Sequence, residues 1–456
     1  MCSVGDDGLT LMECEESPVL SGNTCKKCQQ ENTAEVVLRK KDMYCKNCFL
    51  VNATHKFRAA LGKSKIIRQG DKVLVAFSGN PSSVAMVHLI NCGLSMDTHK
   101  KLIFDPFIVY VDEGASHGLS SEKRQSMLRD IHNLLKDYNI PAYSTSVDML
   151  FNNANNERIS IFPISNSMVE KCGVLEKILA EFKCPTARQD FLKRMRYKAL
   201  REAAALLGCS KILTSETLVD TASNILSNIS LGRGAQLPYD IGFCDSRLEG
   251  FKVLRPMQEY GSDEIEYYNQ FYGLNSIKDY NSEINTKPTN SIQILTKKFV
   301  TDLQENFPST VFTVYRTGAK LSIANEDNDL NEKCSLCQGP LDTSVIESSS
   351  LQATQFSSYV STSGPSGINS NVTPSADTDT KINLGSNEES CGKKKCKCKS
   401  DNTLTKVEMI DSLCYGCRLI LKEIGSADHL PRFVKELAGS SNKLKQMRAE
   451  IEDFLL

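Results

Sequence analysis

From residue 72 onward, short apolar runs alternate with longer stretches in which apolar positions recur every three or four residues. Lys72-Val73-Leu74-Val75-Ala76-Phe77 is one such run, long enough for a buried strand and too short for a helix. Phe107-Ile108-Val109-Tyr110-Val111 is a second, residues 143–147 a third and Lys211-Ile212-Leu213-Thr214 a fourth. Between them, the spacing predicts helices over 84–90, 121–138, 188–207 and 217–229. In the second of these, Met127, Leu128, Ile131, Leu134 and Leu135 form the apolar face, and Ser120 or Ser121 is the expected cap. Such alternation predicts an α/β domain with a doubly wound parallel sheet over 66–325. Its ligand crevice is expected at the carboxyl ends of the strands.

The pattern breaks at both ends. Residues 1–24 contain no Lys or Arg but five acids, Asp6, Asp7, Glu13, Glu15 and Glu16, and read as a disordered acidic tail. Residues 25–65 hold a first cysteine cluster in a basic stretch. A second cluster is split between 331–342 and 406–456, the latter ending in helical spacing. Between its halves, 343–405 is dominated by Ser and Thr with few large apolar residues, too little apolar surface to offset the entropy of ordering. That composition predicts a disordered insertion.

Overall composition, 40 % hydrophobic and 24 % charged over 456 residues, allows more than one packed core. No apolar run approaches the ~18 residues of a membrane span, since Asp105 and Pro106 break the window before Val111. The acidic start lacks the basic region of a signal peptide, so a cytoplasmic location and no membrane partner are expected. Charge is unevenly spread. Residues 26–72 carry twelve Lys and Arg against four acids, a local excess of eight. A solvated face would account for this, and so would contact with a phosphate backbone, which releases counterions. On the second reading, Lys40, Lys41, Lys56 and Arg58 are the candidate nucleic-acid-backbone contacts.

Eighteen cysteines in a chain expected to stay in a reducing compartment point to metal ligation before disulfides. Cys25-x-x-Cys28 and Cys45-x-x-Cys48 are separated by sixteen residues, within the spacing of a structural zinc ribbon. Each tight turn presents two thiolates, and two turns close a tetrahedron around one ion. Cys334-x-x-Cys337 and Cys414-x-x-Cys417 repeat the pattern across a 76-residue gap, mostly the Ser/Thr-rich insertion. Loop closure grows only logarithmically in cost, so these knuckles can also meet. Two zinc sites are expected, although spacing alone also admits an iron–sulfur cluster at each. Cys391, Cys396 and Cys398 lie in a Lys-rich patch and read as loop cysteines or additional ligands.

After the strand 72–77 comes Ser78-Gly79-Asn80-Pro81-Ser82-Ser83 and then a helix, a layout that offers backbone N–H groups to phosphate. The segment resembles the PP-loop of the ATP pyrophosphatase family, Ser-Gly-Gly-x-Asp-Ser. The order of elements over 66–325 is similar too: Tyr110-Val111-Asp112-Glu113-Gly114 after the second strand, the basic helix Arg194–Leu200, and Thr214–Asp220 opening the next helix. Arg255-Pro256-Met257 with Glu264 and Tyr267 resembles a late segment of the tRNA-thiolating branch. Ser78, Gly79 and Ser83 match the motif as nucleotide-binding positions, but Asn80 replaces a Gly, Pro81 lacks an N–H, and Ser82 replaces the carboxylate expected to help hold Mg²⁺. Where that branch carries a cysteine motif, this chain reads Thr186-Ala187-Arg188-Gln189-Asp190, with Cys184 nearby; Cys172 and Cys209 read as core residues. The combination of two cysteine modules with an altered loop resembles the non-catalytic subunit type of the wobble-uridine thiolation family. That resemblance implies a heterodimer with a catalytic thiolation subunit and tRNA as ligand. It also implies sulfur from a thiocarboxylated ubiquitin-related modifier and 2-thiouridine in Lys, Gln and Glu tRNAs. A self-sufficient ATP-dependent thiolase and a non-enzymatic zinc adaptor are the alternatives.

Overall fold

The structure, a computed structural model, describes residues 24–96, 101–151, 159–162, 173–248, 250–277, 291–321, 333–341, 409–410, 412–424 and 430–452. The expected acidic tail up to residue 23, the insertion 343–405, Cys172 and Cys391, Cys396 and Cys398 lie outside the described residues. The chain divides into two compact units, 1–327 and 328–456.

The first unit opens with an antiparallel hairpin, β1 (Val36–Leu38) and β2 (Asp42–Tyr44), followed by α1 (Lys46–Ser64). A seven-stranded sheet follows: β3 (Lys72–Phe77), β4 (Asp105–Asp112), β5 (Ala142–Ser146), β6 (Ser160–Ile161), β7 (Lys211–Leu213), β8 (Cys244–Asp245) and β9 (Lys252–Leu254). Its order is β6-β5-β4-β3-β7-β9-β8. The five inner strands are parallel, four of them the strands that the alternation predicts and the fifth, β9, unpredicted, whereas β6 and β8 close the edges antiparallel. Both edge strands have only two residues, too few for a period-two pattern to register in sequence.

Alternate residues of β3 explain its unbroken apolar run. Val73, Val75 and Phe77 join one core with α2 (Pro81–Leu94) and α3 (Ser121–Leu135). Leu74 enters a second core on the other face, with Leu200, Ala203 and Ala204 of α5 (Pro185–Leu207). A strand covered on both faces has no polar side to show. Around it lie α4 (Gly173–Glu181), α6 (Leu218–Ser230), α7 (Leu237–Ile241), α8 (Ser262–Tyr272), α9 (Ile292–Asn306) and α10 (Pro308–Gly318). Local chemistry sets their starts. Ser120 accepts from the Lys123 N–H, Thr217 and Asp220 form a capping box, and Pro81, Pro185 and Pro308 occupy first-turn positions that need no N–H donor.

The α1 helix is part of the same core. Phe49, Ala53, Phe57 and Leu61 recur every four residues on its buried face. The Phe49 ring meets Tyr267 and Phe271 of α8 edge-on, at 6.2 and 5.9 Å between centroids. The Tyr260 hydroxyl donates to the Ala53 carbonyl at 2.6 Å. The first cysteine module is thereby fixed to the α/β sheet through the helix that follows it. In the second unit, α11 (Tyr415–Glu423) begins within the last cysteine pair and α12 (Arg432–Glu452) ends the described chain.

Candidate functional site

The two cysteine modules are built alike. In the first, the Cys25 N–H donates to Gln30 O, Gln29 N–H to Cys25 O, and Lys26 N–H reaches across to Met43 O. In the second, Cys334 N–H donates to Gly339 O, Gln338 N–H to Cys334 O, and Ser335 N–H reaches across to Ser412 O. Gln29 and Gln338 both adopt left-handed φ, 58° and 60°. Cys45 and Cys414 each occupy the N-cap of the next helix, so Cys48 and Cys417 fall in its first turn. In each set all four Sγ atoms lie within 4.8 Å of one another. Cys28 and Cys45 Sγ are 3.9 Å apart, and Cys337 and Cys414 Sγ 3.6 Å. Four sulfurs at the usual ~2.3 Å from one ion would be separated by about 3.8 Å, so both sets fit a single tetrahedral ion. Burial opposes ionisation of Cys25, but N–H groups of Cys28, Cys45 and Lys27 outweigh it and bring the thiol down to about 6. Backbone donors thus prepare a thiolate at the innermost ligand. The sites differ in exposure. Cys28 is exposed and Cys45 and Cys48 half-buried, whereas Cys334, Cys414 and Cys417 are all buried.

The Ser78–Ser83 loop sits at the carboxyl end of β3, between β4 on one side and β7 on the other, where strand order reverses. That is the switch point at which open α/β sheets bind ligands. Its polar groups face each other. Ser78 Oγ donates to Ser83 Oγ at 3.2 Å, and Ser83 Oγ donates to Asn80 O at 2.9 Å. The Ser83 N–H also bonds Asn80 O, and Pro81 has no N–H to give. The loop is closed from the other side as well. Gly79 has φ +82°, and a Cβ there would lie 2.9 Å from Ile131 Cδ1 and 3.5 Å from Ile277. Ile277 N–H donates to Gly79 O at 2.9 Å, and Asn269 Nδ2 to Pro81 O at 3.0 Å. Ser82, at the position of the motif's carboxylate, hydrogen-bonds the Ser215 hydroxyl at 3.4 Å.

Acidic side chains do stand at the strand ends, but each is paired with an arginine. Arg124 bonds Asp112 at 2.8 Å and Asp148 at 3.1 Å, all three buried. Burial holds the Asp148 carboxyl up at about 6 despite Arg124. Glu113 pairs with Arg196. Glu216, just past β7, accepts from Arg255 Nε at 2.7 Å and from the Tyr197 hydroxyl at 2.5 Å. Burial of Tyr197, then the Glu216 charge, raises the Tyr197 hydroxyl well above the usual range. These networks escaped sequence reasoning, although Arg124 carried a signal: it lies on the same buried stripe as Leu128, Ile131 and Leu135. A charge on an apolar stripe needs a buried partner.

Among the expected tRNA contacts, Lys40 and Lys41 are exposed at the tip of the β1–β2 hairpin. Lys56 is half-buried rather than exposed. Its ammonium is 2.7 Å from Glu264 and 2.8 Å from the Glu259 carbonyl, 4.5 Å above the Tyr260 ring, and tethers α1 to α8. Arg58 is half-buried against Met96 Sδ at 3.0 Å. No helix among the described residues is long and apolar enough to cross a membrane.

A glycine loop at the switch point of a doubly wound sheet, with its own polar groups bonded to each other, defines an altered PP-loop protein carrying two four-thiol modules. A PP-loop domain model matches residues 50–293, and a model described as cytoplasmic tRNA 2-thiolation protein 2 matches 291–419. The chain belongs to the cytoplasmic tRNA 2-thiolation protein 2 family. It is 36 % identical to the protein of that name from Xenopus tropicalis, over 95 % of this chain and 94 % of the relative. Identity is 35 % with protein 2-A of Xenopus laevis and 32 % with the Danio rerio protein, each over 100 % of this chain and 99 % of the relative. Among solved structures, the U34-tRNA thiolase NcsA from Methanococcus maripaludis with its 4Fe–4S cluster aligns at TM-score 0.46 and 17 % identity. That alignment covers 66 % of this chain and 90 % of the thiolase.

Proposed function

We propose that this chain is a non-catalytic, tRNA-binding subunit of a cytoplasmic tRNA 2-thiolation complex, acting beside a catalytic thiolation subunit. The products are 2-thiouridines at the wobble position of Lys, Gln and Glu tRNAs, and the sulfur comes from a thiocarboxylated ubiquitin-related modifier delivered through the partner. The names of the relatives, cytoplasmic tRNA 2-thiolation proteins, support the thiolation role. The observation that carries the non-catalytic reading is the Ser78–Ser83 hydroxyl pair closed beneath Ile277. A loop that grips ATP must turn N–H and O–H donors outward. Here Ser83 turns both of its donors inward, and Ser82 supplies no carboxylate for Mg²⁺.

In this reading the ions are zinc, one in each four-cysteine site, held by Cys25, Cys28, Cys45 and Cys48 and by Cys334, Cys337, Cys414 and Cys417. Each thiolate of a four-iron cube binds a different iron, which would spread the sulfurs further than these clusters allow. Zinc here supplies a cross-link rather than a reaction centre, since four thiolates leave no open position. The hairpin between the first two knuckles presents Lys40 and Lys41 to tRNA phosphate, which is recognised by charge and shape.

The test is complementation. In cells lacking the chain, mass spectrometry of tRNA should find wobble 2-thiouridine lost, and a Ser78→Ala/Ser83→Ala double variant should restore it as fully as the wild type. Normal 2-thiouridine in the null cells would remove the thiolation role. A double variant that fails to restore it, while accumulating normally, would return the loop to catalysis.

A further inference from the structure

Two arginines from opposite ends of the first unit share one aromatic ring. The Arg39 guanidinium lies 4.6 Å from the centroid of Phe312, and the Arg316 guanidinium 5.1 Å from the same centroid. Arg39 is at the tip of the β1–β2 hairpin, while Phe312 and Arg316 are on α10. Lys40 and Lys41 continue the charge on the hairpin side, and Lys320 continues it one turn beyond Arg316; all three are exposed, as is Arg316. Lys26 does not contribute, because its ammonium pairs with Asp42.

The backbone adds an independent observation. Arg39 and Lys40 both adopt left-handed conformations, φ 52° and 58°, in a tight hairpin turn where Gly or Asn would fit without strain. Long cationic side chains therefore occupy positions that cost the fold stability. Strain of this kind persists where something other than folding needs the residue. The C-terminal carbonyls of α10 would explain a cation at Arg316 alone, but not one at Arg39 on the same ring.

We propose that the hairpin tip and the end of α10 form one face that binds RNA phosphates, in which the Phe312 ring holds Arg39 and Arg316 beside Lys40, Lys41 and Lys320. The cysteine module is then only half of the tRNA-binding surface; the other half is a helix of the α/β unit more than 250 residues further along the chain. A guanidinium resting on a ring keeps its N–H edge available to a phosphate while losing little rotamer freedom on binding. The inference rests on the proposed tRNA-binding role.

The experiment measures tRNA affinity against salt concentration for the full chain with its thiolation partner bound, using unmodified Lys tRNA. Arg316→Gln should weaken binding by roughly three- to tenfold at low salt and reduce the salt slope by about one. Its melting temperature and partner association should be unchanged. Lys40→Gly should bind more weakly yet melt at a higher temperature, because glycine accepts the left-handed turn. If Lys40→Gly and Lys41→Gln weaken binding while Arg316→Gln and Lys320→Gln bind like the wild type, the α10 half is wrong and the tRNA-binding role stands. If all four variants keep wild-type affinity and slope, both ideas fall.

Discussion

Gly79 holds a backbone conformation, φ +82°, that other residues enter at a cost, and an added Cβ would press on Ile131. Gly79→Ala should therefore destabilise the fold by about 1–3 kcal/mol, read as a lower melting temperature, independently of any nucleotide. Lys56 makes a different point about single residues. Sequence placed it in a basic stretch, but its half-buried pair with Glu264 is structural. Lys56→Met should cost roughly 1–2 kcal/mol in urea unfolding, between the exposed and buried cases, whereas Lys41→Gln should cost nothing measurable. Nothing local distinguishes those two lysines; the distinction lies 208 residues away, at Glu264. Asp148 gives a pH signature. Its carboxyl is held near 6 in the fold, chiefly by burial, against about 3.9 in an unfolded chain, so the fold binds that proton more tightly. The group favours folding most below about pH 4, and that contribution is lost as pH rises towards 6. Asp148→Asn removes this dependence, so its stability relative to wild type should rise by about 2–3 kcal/mol between pH 4 and 7. A difference that stays flat over that range would refute the buried, raised carboxyl.

At the scale of elements, four of the five inner strands and the helices between them were legible because their pattern is dense, whereas the three-residue β9 and the long α1 were not. β3 is apolar at every position but its first, and Ser120 and Thr217 mark helix starts with a chemistry that side chains cannot hide. The two-residue edge strands were not legible, nor was the packing of α1 on α8, which rests on ring contacts more than 200 residues apart. The knuckles were legible because Cys-x-x-Cys spacing encodes the turn itself. What spacing could not convey is how differently the two sites are shielded. If zinc fills both sites as proposed, an added chelator should strip the first ion, behind the exposed Cys28, well before the second, whose Cys334, Cys414 and Cys417 are buried. Metal release followed with a zinc-sensitive dye should be biphasic, and Cys28→Ser should abolish only the fast phase. A single phase of two ions would show that the two modules are equally open.

For the whole molecule, the carboxyl edge of the sheet keeps the architecture of a nucleotide site while its charges are turned inward. Asp112, Glu113, Asp148 and Glu216 are each paired with an arginine, and the loop serines bond each other. Sequence revealed the substitutions at Asn80, Pro81 and Ser82, but not that the structure around them had closed. That closure depends on Ile277, Arg124 and Arg255, which come from segments far along the chain; only Arg255 lies in a motif that the sequence singled out, and its partner Glu216 does not follow from that motif. On the proposed function, this outline serves as a scaffold, the first thiol module is fixed to it through α1, and reaction chemistry falls to a partner. The direct measurement is conversion of ATP to AMP by the purified full chain, with tRNA present and the partner absent. No AMP above background is expected. Turnover by the chain alone, lost in Ser78→Ala, would contradict it.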